Sequence, residues 1–127
     1  MNTPKMIEDA FTAARNAVGV DLTYIRDQVV RPLRAVPGRA SIESFDGLRP
    51  ADNFDASAFI FLAADVLAAF GEPVRGDVIT RKNVHEVTET YHVSPVADER
   101  HFRYSDPFRV LMRVHAVLVE EDALNVN

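Results

Sequence analysis

The chain contains no cysteine and no tryptophan, and its five glycines are scattered singly. The absence of cysteine excludes disulfides and thiolate zinc sites. Scattered glycines also leave no Gly-rich loop that could cradle a phosphate group. The most apolar segment, residues 58–70, is too short for a membrane span and contains Asp65. We therefore expect no cofactor, no metal and no membrane contact.

Basic residues are also fewer than acidic residues. Lysine and arginine number 14 against 19 acidic residues, which gives a formal net charge of -5 over 127 residues. Such a molecule repels a phosphate backbone, so general nucleic-acid binding is disfavoured. The amino-terminal residues 1–5 lack the basic and apolar regions of a signal peptide, and we expect the protein to be made and used in a cytoplasm. The length suits one domain, over residues 1–127.

The first segment predicts an amphipathic helix over residues 4–19. Thr3 followed by Pro4 is typical of a helix start, because proline is tolerated at the first helical position. Apolar residues then recur at spacings of four, three and four, at Ile7, Phe11, Ala14 and Val18. Gly19 is a suitable residue to end this helix.

Residues 108–119 have the alternation of a long β-strand. The even-numbered positions are all apolar, whereas the odd-numbered positions mix charged and apolar residues. The apolar positions are Phe108, Val110, Met112, Val114, Ala116 and Leu118. Shorter strands are predicted at 22–25, 40–45, 58–63, 78–80 and 85–93. The sequence therefore predicts a mainly β fold, a small barrel or sandwich over residues 22–119, with the helix outside it.

Two segments allow more than one interpretation, and a third has a single one. Pro32 and Pro37 argue against a central strand at 30–39, which we interpret as an edge strand or a stiff loop. Residues 58–63 are apolar on both faces, so either both faces are covered within the fold or one meets a neighbouring subunit. The acidic residues 120–127 are predicted to form a flexible tail.

No pattern typical of an enzyme is present. The four histidines form no metal-binding pair on a strand or helix, and no nucleophile elbow occurs. Arg75-Gly76-Asp77 is the tripeptide that integrins bind, but its glycine and aspartate are better explained as turn residues. We expect the protein not to be an enzyme. The alternative is a cupin-like metal- or ligand-binding barrel that uses His85, His115 and a carboxylate.

Two groups of residues are candidates for an interface. A local basic run suggests contact with an acidic partner or DNA phosphate, or else a solvated loop. Aromatic residues beside arginines in the polar segment 94–107 are typical of interfaces, although they could also pack on the barrel. With the two phenylalanines of residues 58–63 and two arginines of the last strand, the candidates are Arg31, Arg34, Arg39, Phe59, Phe61, Phe102, Arg103, Tyr104, Arg109 and Arg113.

The second half of the chain carries a recognisable pattern. Pro73-Val74-Arg75-Gly76-Asp77-Val78-Ile79 leads into a strand that ends in Thr90-Tyr91-His92-Val93, and residues 102–115 follow after a polar loop. This pattern resembles the lambda-type family of small head–tail joining (head-closure) proteins of tailed bacteriophages, over roughly residues 57–119. In that family a Gly-Asp turn precedes a hairpin whose second strand ends in Tyr-x-Val.

The resemblance implies a structural protein of the virion neck, assembled in the host cytoplasm. Copies would form a ring, hexameric or twelve-fold, between the portal or adaptor protein and the tail terminator or tail tube protein. The ring would help retain packaged DNA, which would pass through the lumen without sequence-specific binding. An acidic protein suits that place, because a negative lumen lets DNA slide. A tail-terminator or tail-completion role is the alternative within the same class.

Overall fold

A computed structural model describes residues 2–38, 56–83, 85–96 and 98–123. These residues form two helices and seven strands. The helices are α1 (Thr3–Val18) and α2 (Ala63–Ala69). The strands are β1 (Val20–Arg26), β2 (Val29–Gly38), β3 (Ala56–Leu62), β4 (Val78–Lys82), β5 (Val87–Val93), β6 (Phe102–Tyr104) and β7 (Leu111–Ala123).

Six of the strands close into an antiparallel barrel in the order β3-β2-β1-β4-β5-β7. Closure occurs because β7 pairs with β3 along one edge and with β5 along the other. The seventh strand, β6, shares the second edge of β7 with β5, at the amino-terminal end of β7. The predicted mainly β fold with an amino-terminal helix is therefore confirmed, and the strand predicted from residues 108–119 is the one with most neighbours.

Alternate side chains fill the barrel, as the period of two in a strand requires. Phe59 and Phe61 of β3 lie directly across from Val114 and Met112 of β7. All four side chains are at most 1% exposed. Truncating such a buried phenylalanine to alanine costs about 3–5 kcal/mol, so this layer is a principal source of stability.

The alternation predicted for the last strand holds in its middle and fails at its start. Met112, Val114 and Ala116 are fully buried, as expected. Phe108 is 50% exposed because the strand begins only at Leu111. The residues before it form a turn around Asp106, which is described below.

Helix α1 differs from its prediction at both ends. Asn2, not Thr3, is the capping residue, and its Oδ1 accepts a hydrogen bond from the Lys5 amide at 3.1 Å. Gly19 ends the helix in an extended conformation; a β-carbon there would lie 2.4 Å from the carbonyl oxygen of Arg15. Phe11 is the one buried side chain of the helix, so most of the predicted apolar stripe stays near the surface.

Strand β2 accommodates two prolines that argued against a central strand. Asp27 and Gln28 have φ of 51° and 72°, the pattern of a two-residue hairpin turn that makes Arg26 and Val29 the first hydrogen-bonded pair. Hydrogen-bonded and non-hydrogen-bonded pairs alternate along the ladder from that pair, so the backbone nitrogen of Pro32 points away from β1. The same alternation directs the nitrogen of Pro37 toward β1, which has already ended. Neither proline removes a ladder hydrogen bond, and the edge-strand interpretation is wrong for residues 36–38, which pair with β3.

The chain terminus also differs from its prediction. Residues 120–123 continue β7 and pair with residues 87–90 of β5, so they are not a flexible tail. Residues 94–107 were predicted to be a polar connection, but they contain strand β6. The strand predicted at 40–45 and the last residues, 124–127, lie outside the described residues.

Candidate interaction surface

Because neighbouring strands are antiparallel, their connections gather at two ends of the barrel. We call one of them the turn end. It consists of the β1–β2 turn with the first residues of β2 (27–31), helix α2, the segment 70–77 and the β6–β7 turn (105–110). The opposite end is formed by the β4–β5 turn (83–86) and by the carboxy-terminal part of β7.

Asp77 fastens three parts of the turn end to one another. Its Oδ2 accepts hydrogen bonds from the Tyr24 hydroxyl at 2.6 Å and from the Val74 amide at 2.9 Å. Arg26 donates to both carboxylate oxygens, and it also donates to the carbonyl oxygens of Phe70 and Glu72 at 2.9 Å. One buried carboxylate thus joins strand β1 to the whole of segment 70–77.

Local sequence explains why this aspartate can take that position. Gly76 has a φ of 95°, a left-handed conformation that glycine adopts without steric cost. The turn brings the Asp77 backbone into register with β5, where the Val93 amide donates to the Asp77 carbonyl oxygen at 2.8 Å. The Gly-Asp pair of the sequence motif is therefore a structural turn, in agreement with the interpretation of Arg75-Gly76-Asp77 given above.

The charges in this network determine its protonation. Burial opposes ionisation of Asp77, but hydrogen bonds from Arg26, Tyr24 and the Val74 amide outweigh it and hold the pKa of the carboxyl below its usual value. Burial and the adjacent Asp77 carboxylate raise the pKa of Tyr24 far above its usual value. The pair is therefore a carboxylate and a neutral phenol at every physiological pH.

The β6–β7 turn is organised by a second aspartate. The carboxylate of Asp106 accepts hydrogen bonds from the amides of Phe108, Val110 and Leu111, at 2.8–3.2 Å. Its carbonyl oxygen accepts from the Arg109 amide, and Arg109 has a φ of 60°. A side chain that captures so many amides competes with strand pairing, which is why β7 begins late.

Arginines and aromatic rings meet beside this turn. The Arg109 guanidinium lies 4.9 Å from the ring centroid of Tyr104, whose hydroxyl donates to Glu72 at 3.3 Å. On the outer face of the sheet, Arg103 lies directly across from Arg113. Burial, followed by repulsion from Arg103, lowers the pKa of Arg113. Like charges in direct opposition destabilise a sheet, and Glu99 offsets part of this repulsion, because its Oε1 lies 3.5 Å from Arg103 Nε and its charge acts to raise the pKa of Arg113.

His115 lies on the same outer face and is completely buried. Its Nδ1 is 3.0 Å from the Arg100 carbonyl oxygen, and its Nε2 is 3.3 Å from Glu99 Oε1. Burial lowers the pKa of this imidazole, with smaller opposing effects from the Arg100 carbonyl and Glu99. The residue holds the segment 99–101 against β7.

A second polar network lies inside the barrel, near the opposite end. Glu89 accepts hydrogen bonds from the Tyr91 hydroxyl at 2.7 Å, from Arg81 at 3.0 Å and from Asn83 at 3.0 Å. Burial opposes its ionisation, but these donors hold its pKa below the usual value. Burial and Glu89 together raise the pKa of Tyr91 to about 12. Like Asp77, Glu89 is an ionised group that serves the fold.

The structure separates the candidate interface residues into groups. Phe59 and Phe61 point into the barrel, which covers them completely, and Phe102 is also buried. Both faces of residues 58–62 are largely covered within the fold, the first of the two alternatives for this segment. Arg103, Tyr104, Arg109 and Arg113 lie together on β6, its turn and β7. For these four residues, which lie close together, the interface stays a prediction.

The basic run is dispersed by the strand that carries it. Arg31 and Arg34 are three residues apart on β2, so they project from opposite faces. Arg34 forms an ion pair with Asp21 at 2.9 Å, on the outer face. Arg39 lies outside the described residues. The run is therefore not one contact patch in the part of the chain that the structure describes.

The residues proposed for a cupin-like site do not come together. His85 lies in the β4–β5 turn, beside Ala123 at the end of β7. His115 precedes Ala123 by eight residues on that strand. At about 3.3 Å per residue, the two histidines are about 26 Å apart. Across residues 2–38, 56–83, 85–96 and 98–123, no group of three histidine, aspartate or glutamate side chains could hold a metal ion. The geometry gives this alternative no support.

Comparison with known proteins then bears on function. The family model described as phage head-tail joining protein matches residues 5–123. The chain belongs to the phage head-tail joining protein family. Comparison with curated proteins and with solved structures gave no significant match. The family match extends from α1 to the last residue of β7, and it confirms the resemblance found in the sequence.

Family membership fixes the general role. The protein is a structural component of a phage virion and interacts with other head and tail components. Joining proteins of this kind are typically not enzymes. Among the described helices, none is both long and apolar enough to cross a membrane.

Sequence reasoning missed the residues that shape the turn end. Asp77 was recognised as a turn residue, but its partners Tyr24 and Arg26 lie 53 and 51 positions away. Asp106 was a detectable signal, because an aspartate followed by proline often begins a turn. No periodic pattern reports a bond between distant residues, so Arg26 could not have been found.

Proposed function

We propose that copies of this protein form a closed ring that joins the head to the tail and helps to retain packaged DNA. The observation that carries this proposal is the family match over residues 5–123, which includes every described strand of the barrel. The ring would be hexameric or twelve-fold and would lie between the portal or adaptor and the tail terminator or tail tube. No catalytic step is included in this role.

The barrel itself suits a mechanical role. Its ionised buried groups, Asp77 and Glu89, are each held by three or more donors, so they are committed to binding backbone and side chains of the fold. A closed barrel has few free sheet edges, which allows close contact between copies without uncontrolled pairing. Both features favour a rigid building block.

The charge of the protein suits a DNA passage. Copies that each carry a net charge of -5 would together repel the phosphate backbone of DNA that passes through the ring. DNA would then slide through the ring during ejection, and retention would depend on the closed diameter of the ring. Assembly would take place in the host cytoplasm, before the tail joins.

Two measurements test the proposal. Purified protein should form rings, alone or on DNA-filled heads, by light scattering and negative-stain microscopy. A phage that lacks the gene should produce full or leaking heads without tails, and added wild-type protein should restore joining. Normal infectious particles without the gene, or a protein that stays monomeric in the assembled virion, would contradict it.

A further inference from the structure

We propose that the turn end is the surface on which this protein docks a different virion protein, one that presents an apolar surface bordered by carboxylates. This inference rests on the proposed connector function and adds to it a specific surface and a partner chemistry. It is carried by three observations: where the exposed apolar side chains lie, how firmly they are held, and which charges surround them.

The exposed apolar side chains are concentrated at one end of the barrel. Among the described residues, eight large hydrophobic side chains are 40% or more exposed. Five of them lie at the turn end, and they are Val29, Val30, Leu67, Val74 and Phe108. Single exposed hydrophobic residues are normal on a surface, but a concentration on neighbouring segments marks an interaction site.

The segments that carry these side chains are bonded directly to one another. Arg26, which precedes the β1–β2 turn, donates to the carbonyl oxygens of Phe70 and Glu72. Segment 70–77 is joined to β6 through the Tyr104 hydroxyl and Glu72. Helix α2 begins where the Ala63 amide donates to the Val110 carbonyl oxygen at 2.8 Å. A surface held in place before binding loses little conformational entropy on docking, which favours affinity.

The polar groups around this surface give it a preferred partner. Arg31, Arg75 and Arg109 are exposed there. The exposed acids are Asp27 and Glu72, and Glu72 already accepts a hydrogen bond from Tyr104; the partly exposed Asp65 of α2 is paired with Arg15. The carboxylate of Asp106 is occupied by backbone amides. The border of the surface is therefore supplied mainly by guanidinium groups, which complement carboxylates on a partner.

A second copy of the chain is a poorer occupant. The β4–β5 turn and the end of β7 are mainly acidic, with Glu86, Glu120 and Glu121 exposed and Lys82 beside Glu86, and Val119 is the one large exposed hydrophobic side chain on the described residues of these two segments. Docking of the turn end on the opposite end of another copy would stack barrels head to tail, and such stacking produces an open filament where a connector needs a closed ring.

The test uses DNA-filled heads and free tails from a phage that lacks the gene. Purified protein is added to the heads, binding is measured by cosedimentation, tails are added, and infectious titre is counted. The test variant is Val74→Ser with Phe108→Ser, both at the turn end. The matched control is Val119→Ser, because Val74, Phe108 and Val119 are each 50% exposed.

The double variant should weaken docking about tenfold or more, which is equivalent to about 1.4 kcal/mol, and should lower titre with it. Its loss should appear in head binding or in tail joining, whereas thermal unfolding and self-association stay as in the wild type. The Val119→Ser control should restore titre fully.

Three results would overturn the inference. The double variant could restore titre like the wild type, or Val119→Ser could lose it equally. The double variant could also lose self-association together with titre, which would make a second copy the occupant. If wild-type protein itself fails to restore joining, the proposed connector function fails instead, so the two failures are distinguishable.

Discussion

Arg26 binds Asp77 through two parallel contacts, with Nε 2.9 Å from Oδ1 and Nη2 2.8 Å from Oδ2. The carboxylate is almost fully buried, and the guanidinium is 22% exposed. Two further N–H groups of Arg26 donate to the carbonyl oxygens of Phe70 and Glu72 in segment 70–77. This pair therefore controls the position of the surface that we propose for docking.

Replacing Asp77 with asparagine should destabilise the protein strongly. The change leaves Arg26 partly buried without its charge partner, and breaking such pairs costs about 3–5 kcal/mol. Urea unfolding of wild type and D77N measures the difference. The control is Asp9→Asn, which breaks a highly exposed pair with Lys5 and should leave stability nearly unchanged. Equal small effects of both changes would show that the Asp77 network is not important for stability.

Removing the Asp106 carboxylate should loosen the β6–β7 turn without unfolding the barrel. Asp106→Ala takes the acceptor away from the amides of Phe108, Val110 and Leu111, with a cost of about 1–2 kcal/mol, as for loss of a helix cap. Hydrogen exchange at these amides should become faster, whereas amides of the β3–β7 ladder stay protected. Unchanged exchange at the turn would contradict the role given to Asp106.

Acid should destabilise the protein through His115. Burial lowers the folded pKa of this imidazole, so near pH 6.5 the unfolded chain takes up a proton that the folded chain does not. Its contribution to stability is complete above that pH and is lost as pH falls toward the folded pKa. Unfolding free energy should therefore decrease from pH 7.5 to 5.5, and less steeply in His115→Gln.

The control for that experiment is His92→Gln, because His92 is exposed on the outer face of β5. This variant should keep the wild-type pH dependence. If His115→Gln has the same slope as the wild type, the buried imidazole is not the group responsible.

Stronger acid should act through Glu89. Its donors lower the folded pKa, so its contribution is present above the ordinary value of 4.5 and is lost as pH falls below it. Glu89→Gln should cost about 2 kcal/mol at pH 7, the usual value of hydrogen bonds to a charged group, and noticeably less at pH 3.5. Glu86→Gln changes an exposed acid and serves as the control. A Glu89→Gln effect that does not change with pH would exclude the charge as its cause.

The sequence predicted a mainly β fold, a small barrel or sandwich, because alternation is a local property. Met112, Val114 and Ala116 share one face of a strand whatever its neighbours are, and all three are buried. Phe108 obeys the same alternation, yet it lies outside the strand. The capture of backbone amides by Asp106 outweighs the apolar pattern there, and the pattern carries no information on that competition.

The candidate site depended on pairing, which a single sequence does not report. Phe59 and Phe61 could have faced a neighbouring subunit, and only their register against Val114 and Met112 assigns them to the core. The link between Asp77 and Arg26 likewise arises from the pairing of β1 with β4. Aromatic residues beside arginines were recognisable from composition, and Tyr104 and Arg109 do lie together on the surface.

The most direct test of the connector function is a cryo-electron microscopy map of the virion neck. The proposed function predicts a closed ring of this barrel between the portal or adaptor and the tail. If the map shows the neck without this protein, or the protein only in the capsid shell or at the distal tail tip, the connector function is wrong.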